Sequence, residues 1–278
     1  MNRARTFTSL LIILLTVASC GLIAQTDTTA PAPAEIDTPI AKWGWKQIEE
    51  GISYTITHTE KKDVLIVKID PDLYKFSIYE NRNPVNAKTI EQIHKSTGAL
   101  LSFNGGFFTE DFIPTGLLIS EGKELRSLSK ADLLNGVLAI KHDGTINFFY
   151  YVNNGKFPIS ITPENYVFAI QNGPALINEK GENLLTTDTE KLSSRTAIGL
   201  DKDNNIILII LKQSLFNPDN AISLYQFSEM IRTAGIFKEL GVHSVLNLDG
   251  GSSTGLMLDE KYFPEMEKVQ NVITVKSA

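Results

Sequence analysis

Along much of the chain, apolar and polar residues alternate with a period of two. Residues 52–59 (I-S-Y-T-I-T-H-T) and 74–79 (Y-K-F-S-I-Y) follow this pattern, which predicts half-buried β-strands. Residues 64–69 are more continuously apolar and predict a more buried strand. Residues 89–96 break the alternation and predict a short helix carrying Ile90 and Ile93. A strand at 99–103 then runs into Asn104-Gly105-Gly106-Phe107-Phe108. Further strands are predicted at 116–119, 137–140 and 146–151, the last two joined by a hairpin turn at Asp143-Gly144. The second half predicts strands at 167–171, 196–200 and 206–211, with a turn at Asn204-Asn205.

One segment switches to helical spacing. Asp219 or Asn220, just after Pro218, is placed to cap a long helix. Leu224, Phe227, Met230 and Ile231 give that helix one apolar face. Gly235 is expected to break it, and 236–240 to resume before Gly241. A β-prone run at 245–248 follows. Many strands, few helices and no βαβ alternation indicate an α+β fold in a single domain. Its core would be a mixed or antiparallel sheet, with one long helix before the C-terminal strand.

The N-terminal end of the chain differs in character from its body. Arg3 and Arg5 precede a short apolar run, 10–15, and then Val17-Ala18-Ser19-Cys20. This is the layout of a secretory leader, and the run is too short to span a membrane. Residues 21–41 are rich in Thr, Pro, Ala and Gln and read as a flexible tether. The expected organisation is therefore a leader over 1–19, a tether over 20–41 and a folded domain over 42–278.

The net charge is −6, with 26 basic and 32 acidic residues. No basic stripe is present, which argues against a nucleic-acid partner. Cys20 is the sole cysteine, so no disulfide can form within the chain, and the four histidines are scattered without zinc spacing.

Candidate chemistry concentrates at 244–255, S-V-L-N-L-D-G-G-S-S-T-G. A strand here ends in Asp249, followed by Gly250, Gly251, Ser252, Ser253 and Thr254. Glycines bring main-chain N–H groups close to a ligand, and the hydroxyls add donors. The same residues also suit an ordinary surface turn. Three other segments repeat the pattern of a strand beside small polar residues: 103–108, 171–174 (Q-N-G-P) and 193–199 (S-S-R-T-A-I-G). Asn104 and Asn172 offer a donor and an acceptor each for sugar hydroxyls. Gly105, Gly106 and Gly173 accompany them. Arg195 offers a planar fork for a phosphate. Glu110 lies just beyond the Phe pair as a second carboxylate. Each Asn-Gly pair taken singly also fits a left-handed turn.

Taken in series, these segments resemble a known family. N-G-G-F-F, P-T-G-L-L-I-S-E-G-K, Q-N-G-P-A-L-I, S-R-T-A-I-G-L-D and L-N-L-D-G-G-S-S-T occur in the order found in phosphodiester glycosidases. The resemblance covers about residues 64–275. It implies an enzyme that removes a sugar from a sugar-1-phosphodiester, leaving free sugar and a phosphomonoester. It also carries over Asn104, Gly105, Gly106, Asn172, Gly173, Arg195 and 249–254 as site residues. Two departures stand out: Ser252 replaces a third glycine, and 211–214 reads L-K-Q-S where relatives have a V-D-G-R-like run.

A phosphomonoester leaves readily because its second pKa is about 6. Cationic support at the phosphate and a carboxylate at the anomeric carbon would then suffice. Arg195 with the Gly250 and Gly251 amides is expected to supply the first. Asp249 is expected to supply the second, as nucleophile or as base for water.

The V-A-S-C ending resembles a bacterial lipobox. This implies lipid on Cys20 and a cell-envelope location, with Gly21 favouring the outer membrane; the alternative is an ordinary secretory leader. Cleavage there leaves 24 basic against 32 acidic residues, a net charge of −8. The expected partners are a carbohydrate phosphodiester and a membrane reached through the anchor. No cofactor is assigned, and a divalent cation with oxygen ligands near Asp249 is left open. The rival reading is a non-catalytic glycan-binding lipoprotein; a metal-dependent phosphodiesterase would need His/Asp clusters that the sequence lacks.

Overall fold

The computed structural model describes residues 43–152, 155–157, 160–189, 191–213 and 217–278. The expected leader and the whole tether segment, Cys20 included, lie outside the described residues, as does Ser214. In chain order the strands are β1 (Lys46–Glu49), β2 (Ile52–Thr59), β3 (Lys62–Ile69) and β4 (Tyr74–Glu80). After helix α1 (Ile90–Thr97) come β5 (Leu101–Asn104), β6 (Leu118–Ser120), β7 (Lys123–Arg126), β8 (Gly136–Lys141) and β9 (Ile146–Tyr150). Next are β10 (Tyr166–Asn172), β11 (Ala175–Ile177), β12 (Arg195–Leu200) and β13 (Ile206–Leu211). Helices α2 (Leu224–Thr233) and α3 (Gly235–Leu240) precede β14 (His243–Asn247), β15 (Leu256–Leu258), β16 (Lys261–Phe263) and β17 (Asn271–Ser277).

The strands form three sheets, ordered β1-β2-β3-β13-β12-β14-β11, β7-β6-β10-β8-β9 and β16-β15-β5-β17-β4. Every pairing among these strands is antiparallel. β13 shows why the sheets stack. Its Ile206, Leu208 and Ile210 enter a core shared with Phe103, Phe168 and Ile273 of the other two sheets. Its Ile207, Ile209 and Leu211 face Phe227, Met230 and Phe237 of the helices. A strand apolar on both faces must be covered on both. Each such side chain contributes about 1.5–3 kcal/mol on burial. Nearer the sheet edge the cover runs out, and Ile56 of β2 is 55% exposed.

The helical segment differs from expectation in two ways. Ser223 caps α2, accepting from the Gln226 main-chain N–H while the Gln226 side chain accepts from the Ser223 N–H. Asn220 is instead buried in a stitch between strands. Its amide donates to the Asp63 and Lys212 carbonyls and accepts from the Asp63 N–H. The break expected at Gly235 also falls one residue earlier, and Gly235 opens the second helix. Ala234 is extended and serves both as the end of α2 and as the start of α3. The apolar face is as read: Phe227, Met230 and Ile231 are buried and Leu224 packs against them.

Other sequence features are present in the structure. Thr89 and Gln92 form a capping box at α1. Gly144 and Asn204 adopt positive φ in the two turns assigned to them. β1, β7, β11, β15, β16 and β17 were not anticipated. β17 matters most, because it lies beside β5 and carries Asn271. The segment assigned as the C-terminal strand is β14, and three further strands follow it.

Candidate active site

Asp249 lies just past β14, where main-chain bonds hold it on both sides. The Leu248 N–H donates to the Thr196 carbonyl, and the Asp249 N–H to the Gly105 carbonyl. Next, the Gly251 N–H reaches the Ser194 carbonyl and opens a 3-10 turn over Gly251–Ser253. The Asp249 carboxyl accepts from the Gly250 N–H at 2.9 Å and from the Ser253 hydroxyl. Burial raises its pKa to about 6. Those two hydrogen bonds oppose the rise, and the negative charge of Glu267 adds to it.

The motif asparagines build the frame around this acid. Asn104 is fully buried at the end of β5. Its Nδ2 donates to the Asp249 carbonyl at 2.7 Å, while its Oδ1 accepts from the Thr196 hydroxyl and the Gly255 N–H. Asn172 accepts from the Phe107 N–H and donates to the Asn247 carbonyl. Both were expected to meet sugar hydroxyls; burial and these bonds turn both amides inward, making them positioning residues. Gly106 donates to Asn271 Oδ1 at 2.7 Å, and Gly173 accepts from Asn247 Nδ2. At Gly105 a side chain is sterically barred, since a Cβ would stand 2.0 Å from Asn271 Oδ1. Asn247 Oδ1 is buried without a protein hydrogen-bond partner.

The expected phosphate cradle is arranged differently. Arg195 comes next to the Asp249 loop through its backbone: a Cβ on Gly250 would meet the Ser194 carbonyl oxygen at 2.8 Å. Its guanidinium, however, donates to the Ile222 and Lys191 carbonyls at 3.1 and 2.7 Å. No ion pair within 4 Å joins it to Asp249 among the described residues. The Gly250 amide is bonded to the Asp249 carboxyl and the Gly251 amide to the Ser194 carbonyl, so they do not form an open anion nest. Thr254 is buried beside Thr196, Ser253 serves Asp249, and the Ser252 hydroxyl donates to Glu267 Oε2 at 2.9 Å. Glu110 is exposed in the turn after Phe108, with no hydrogen bond or ion pair to Asp249.

Three residues at the site escaped the sequence reading. Glu267 sits on the loop because the Met266 and Glu267 N–H groups both donate to the Ser252 carbonyl. Lys212, first noticed only as a departure from a family run, donates from Nζ to the Thr254 carbonyl at 2.7 Å. Burial lowers its pKa, against the pull of Glu265. Asn271 grips Gly106 from β17 through both its N–H and its carbonyl. The β-branched run at 272–275 was the available signal for that strand. The described residues contain no group of three or more His, Cys, Asp or Glu suited to a metal, so the cation left open beside Asp249 has no such donor set there.

Comparison with known proteins follows the same lines. No curated protein sequence matches this chain. Among solved structures, it is similar to a hypothetical protein from Synechocystis, with 18% identity and a TM-score of 0.63; 84% of this chain aligns with 63% of that one. This chain thus spans less than two thirds of that protein's length. It is also similar to the catalytic domain of zebrafish N-acetylglucosamine-1-phosphodiester alpha-N-acetylglucosaminidase, auto-inhibited by its pro-peptide. The identity there is 19%, the TM-score 0.62 and the coverage 82% of both chains. At such identities the likeness establishes the fold. The sequence itself matches the phosphodiester glycosidase family over residues 97–276, from Asn104 through Asp249 to Asn271. The chain belongs to the phosphodiester glycosidase family.

Proposed function

We propose that this protein hydrolyses a sugar-1-phosphodiester on a glycan of the bacterial cell envelope, releasing free sugar and a phosphomonoester. The observation that carries the reading is Asp249: a half-buried carboxylate with a pKa of about 6, framed by the family's own motifs. A group of that pKa is mostly ionised at neutral pH yet basic enough to take a proton from water. Water attacks the anomeric carbon, its proton goes to Asp249, and the C1–O electron pair leaves with the phosphate. Glu267, rather than Glu110, serves as the second carboxylate. Lys212 offers positive charge to the departing phosphate, while Arg195 holds its strand end in place. The lipobox-like V-A-S-C supports a lipid anchor at Cys20 on the outer membrane, facing the periplasm or the surface.

The test uses the purified full-length protein and a sugar-1-phosphodiester. Free sugar and phosphomonoester should appear in equal amounts, and Asp249→Asn should abolish both. Binding of the compound without release would overturn the enzyme reading and leave a glycan-binding lipoprotein.

A further inference from the structure

The residue after Glu267 in the chain opens a different surface. Lys268, Lys88 and Lys95 line a groove of about 690 Å³ between α1 and the segment before it, with Val85, Gln92 and Ser96. No carboxylate lines it, in a chain whose net charge is −6. The lysines are held there by distinct contacts. Lys268 Nζ donates to the Ala87 carbonyl at 2.8 Å, and Lys88 Nζ lies 5.4 Å from the centre of the Tyr79 ring. Lys95 pairs with Glu91 on the solvent side of α1. An exposed pair of that kind is worth little and exchanges readily for another anion.

We propose that this groove binds the anionic chain of a polymeric phosphodiester, so that the substrate is a poly(phosphodiester) glycan rather than a small sugar phosphodiester. The inference rests on the phosphodiester reading of the Asp249 site. Two observations carry it. The groove is shallow and basic where the rest of the chain is acidic, which concentrates an extended polyanion. It also adjoins the site in the chain: Lys268 follows Glu267, whose N–H and carboxylate are bonded to Ser252 of the glycine loop. In this proposal a chain whose terminal sugar lies at Asp249 runs on past Lys268.

The test measures fluorescence anisotropy of a dye-labelled short-chain inorganic polyphosphate with the full chain. The variants are Lys88→Glu/Lys268→Glu and the control Lys46→Glu/Lys123→Glu, two exposed lysines on other strands. The groove variant should bind about tenfold or more weakly and with a shallower salt dependence, while the control stays near wild type. Equal loss in both variants, or no binding by the wild type, would overturn the proposal. Should the groove variant lose melting temperature, Lys95→Glu and Lys88→Gln/Lys268→Gln repeat the comparison. Anionic-lipid vesicles form a second arm; vesicle binding lost with the groove lysines, without polyphosphate binding, would overturn the polymer in favour of a membrane. Because binding is read without turnover, failure of the catalytic reading would show separately, as intact polyphosphate binding with no release from any sugar-1-phosphodiester.

Discussion

The side-chain amide of Asn104 donates to the main-chain carbonyl of Asp249 at 2.7 Å, across 145 positions of sequence. The first motif of the chain thus sets the position of the acid in the last. Its other end ties in the third motif, through the Thr196 hydroxyl. Asn104→Ala should leave Thr196 and the Gly255 N–H without their buried acceptor. It is expected to cost roughly 3 kcal/mol, lowering Tm by about 2–4 °C per kcal/mol, as read by calorimetry. If Asn104 merely touched substrate, Tm would be unchanged and only KM would rise.

Asp249 binds its proton more tightly in the folded protein than in the unfolded chain, with its pKa raised from 3.8 to about 6. The folded state therefore holds more protons between those values, and stability falls as pH rises through that window. The upper bound on the loss is roughly 3 kcal/mol. Asp249→Asn removes the ionisation. It should raise Tm at pH 8 relative to wild type, with a smaller difference at pH 4, while turnover disappears. A variant equally destabilised at both pH values would contradict the assignment.

Glu267 adds to that raised pKa through its charge. Glu267→Gln should make Asp249 easier to ionise. The acid limb of the kcat/KM profile should then move to lower pH, by about 0.5 unit given partial screening. Glu110→Gln, changing an exposed turn, should leave the limb in place. A limb unmoved in Glu267→Gln would remove Glu267 from the site.

Lys212 and Arg195 are separated by substrate choice. Lys212→Gln should slow phosphodiester cleavage about tenfold or more, the weight of a charge-assisted contact at 1.4 kcal/mol or above. Aryl glycosides with a neutral leaving group should suffer less. Arg195→Lys loses the bond geometry to the Ile222 and Lys191 carbonyls. It should lower Tm and slow both substrate classes alike. Selective loss of phosphodiester cleavage in Arg195→Lys would return the phosphate to that arginine.

Fatty-acid labelling of growing cells tests the anchor. The wild type should carry the label and Cys20→Ser should not; equal labelling would exclude a lipid at Cys20.

Residue pattern alone carried much of the fold. Period-two alternation marked β2 and β4, the continuous apolar run marked β13, and helical spacing marked the buried face of α2. These are local consequences of side-chain geometry, and the sequence contains them in full. Short strands such as β11 and β15 were invisible because three residues carry no period. Ser223 rather than Asn220 caps α2 because Asn220 has distant partners, Asp63 and Lys212, that no local rule can see.

The site divides along the same line. Asp249 was legible as an acid at a strand end beside glycines. Which groups face it was decided by strand order, since β12 and β14 pair while β5 and β17 meet them from another sheet. That packing turns Asn104 and Asn172 inward and ties Arg195 to main-chain carbonyls. It also brings up Glu267 and Lys212, which lie in stretches with no pattern of their own. Spacing along a chain reports which face a side chain takes; only the packed sheets report what stands opposite.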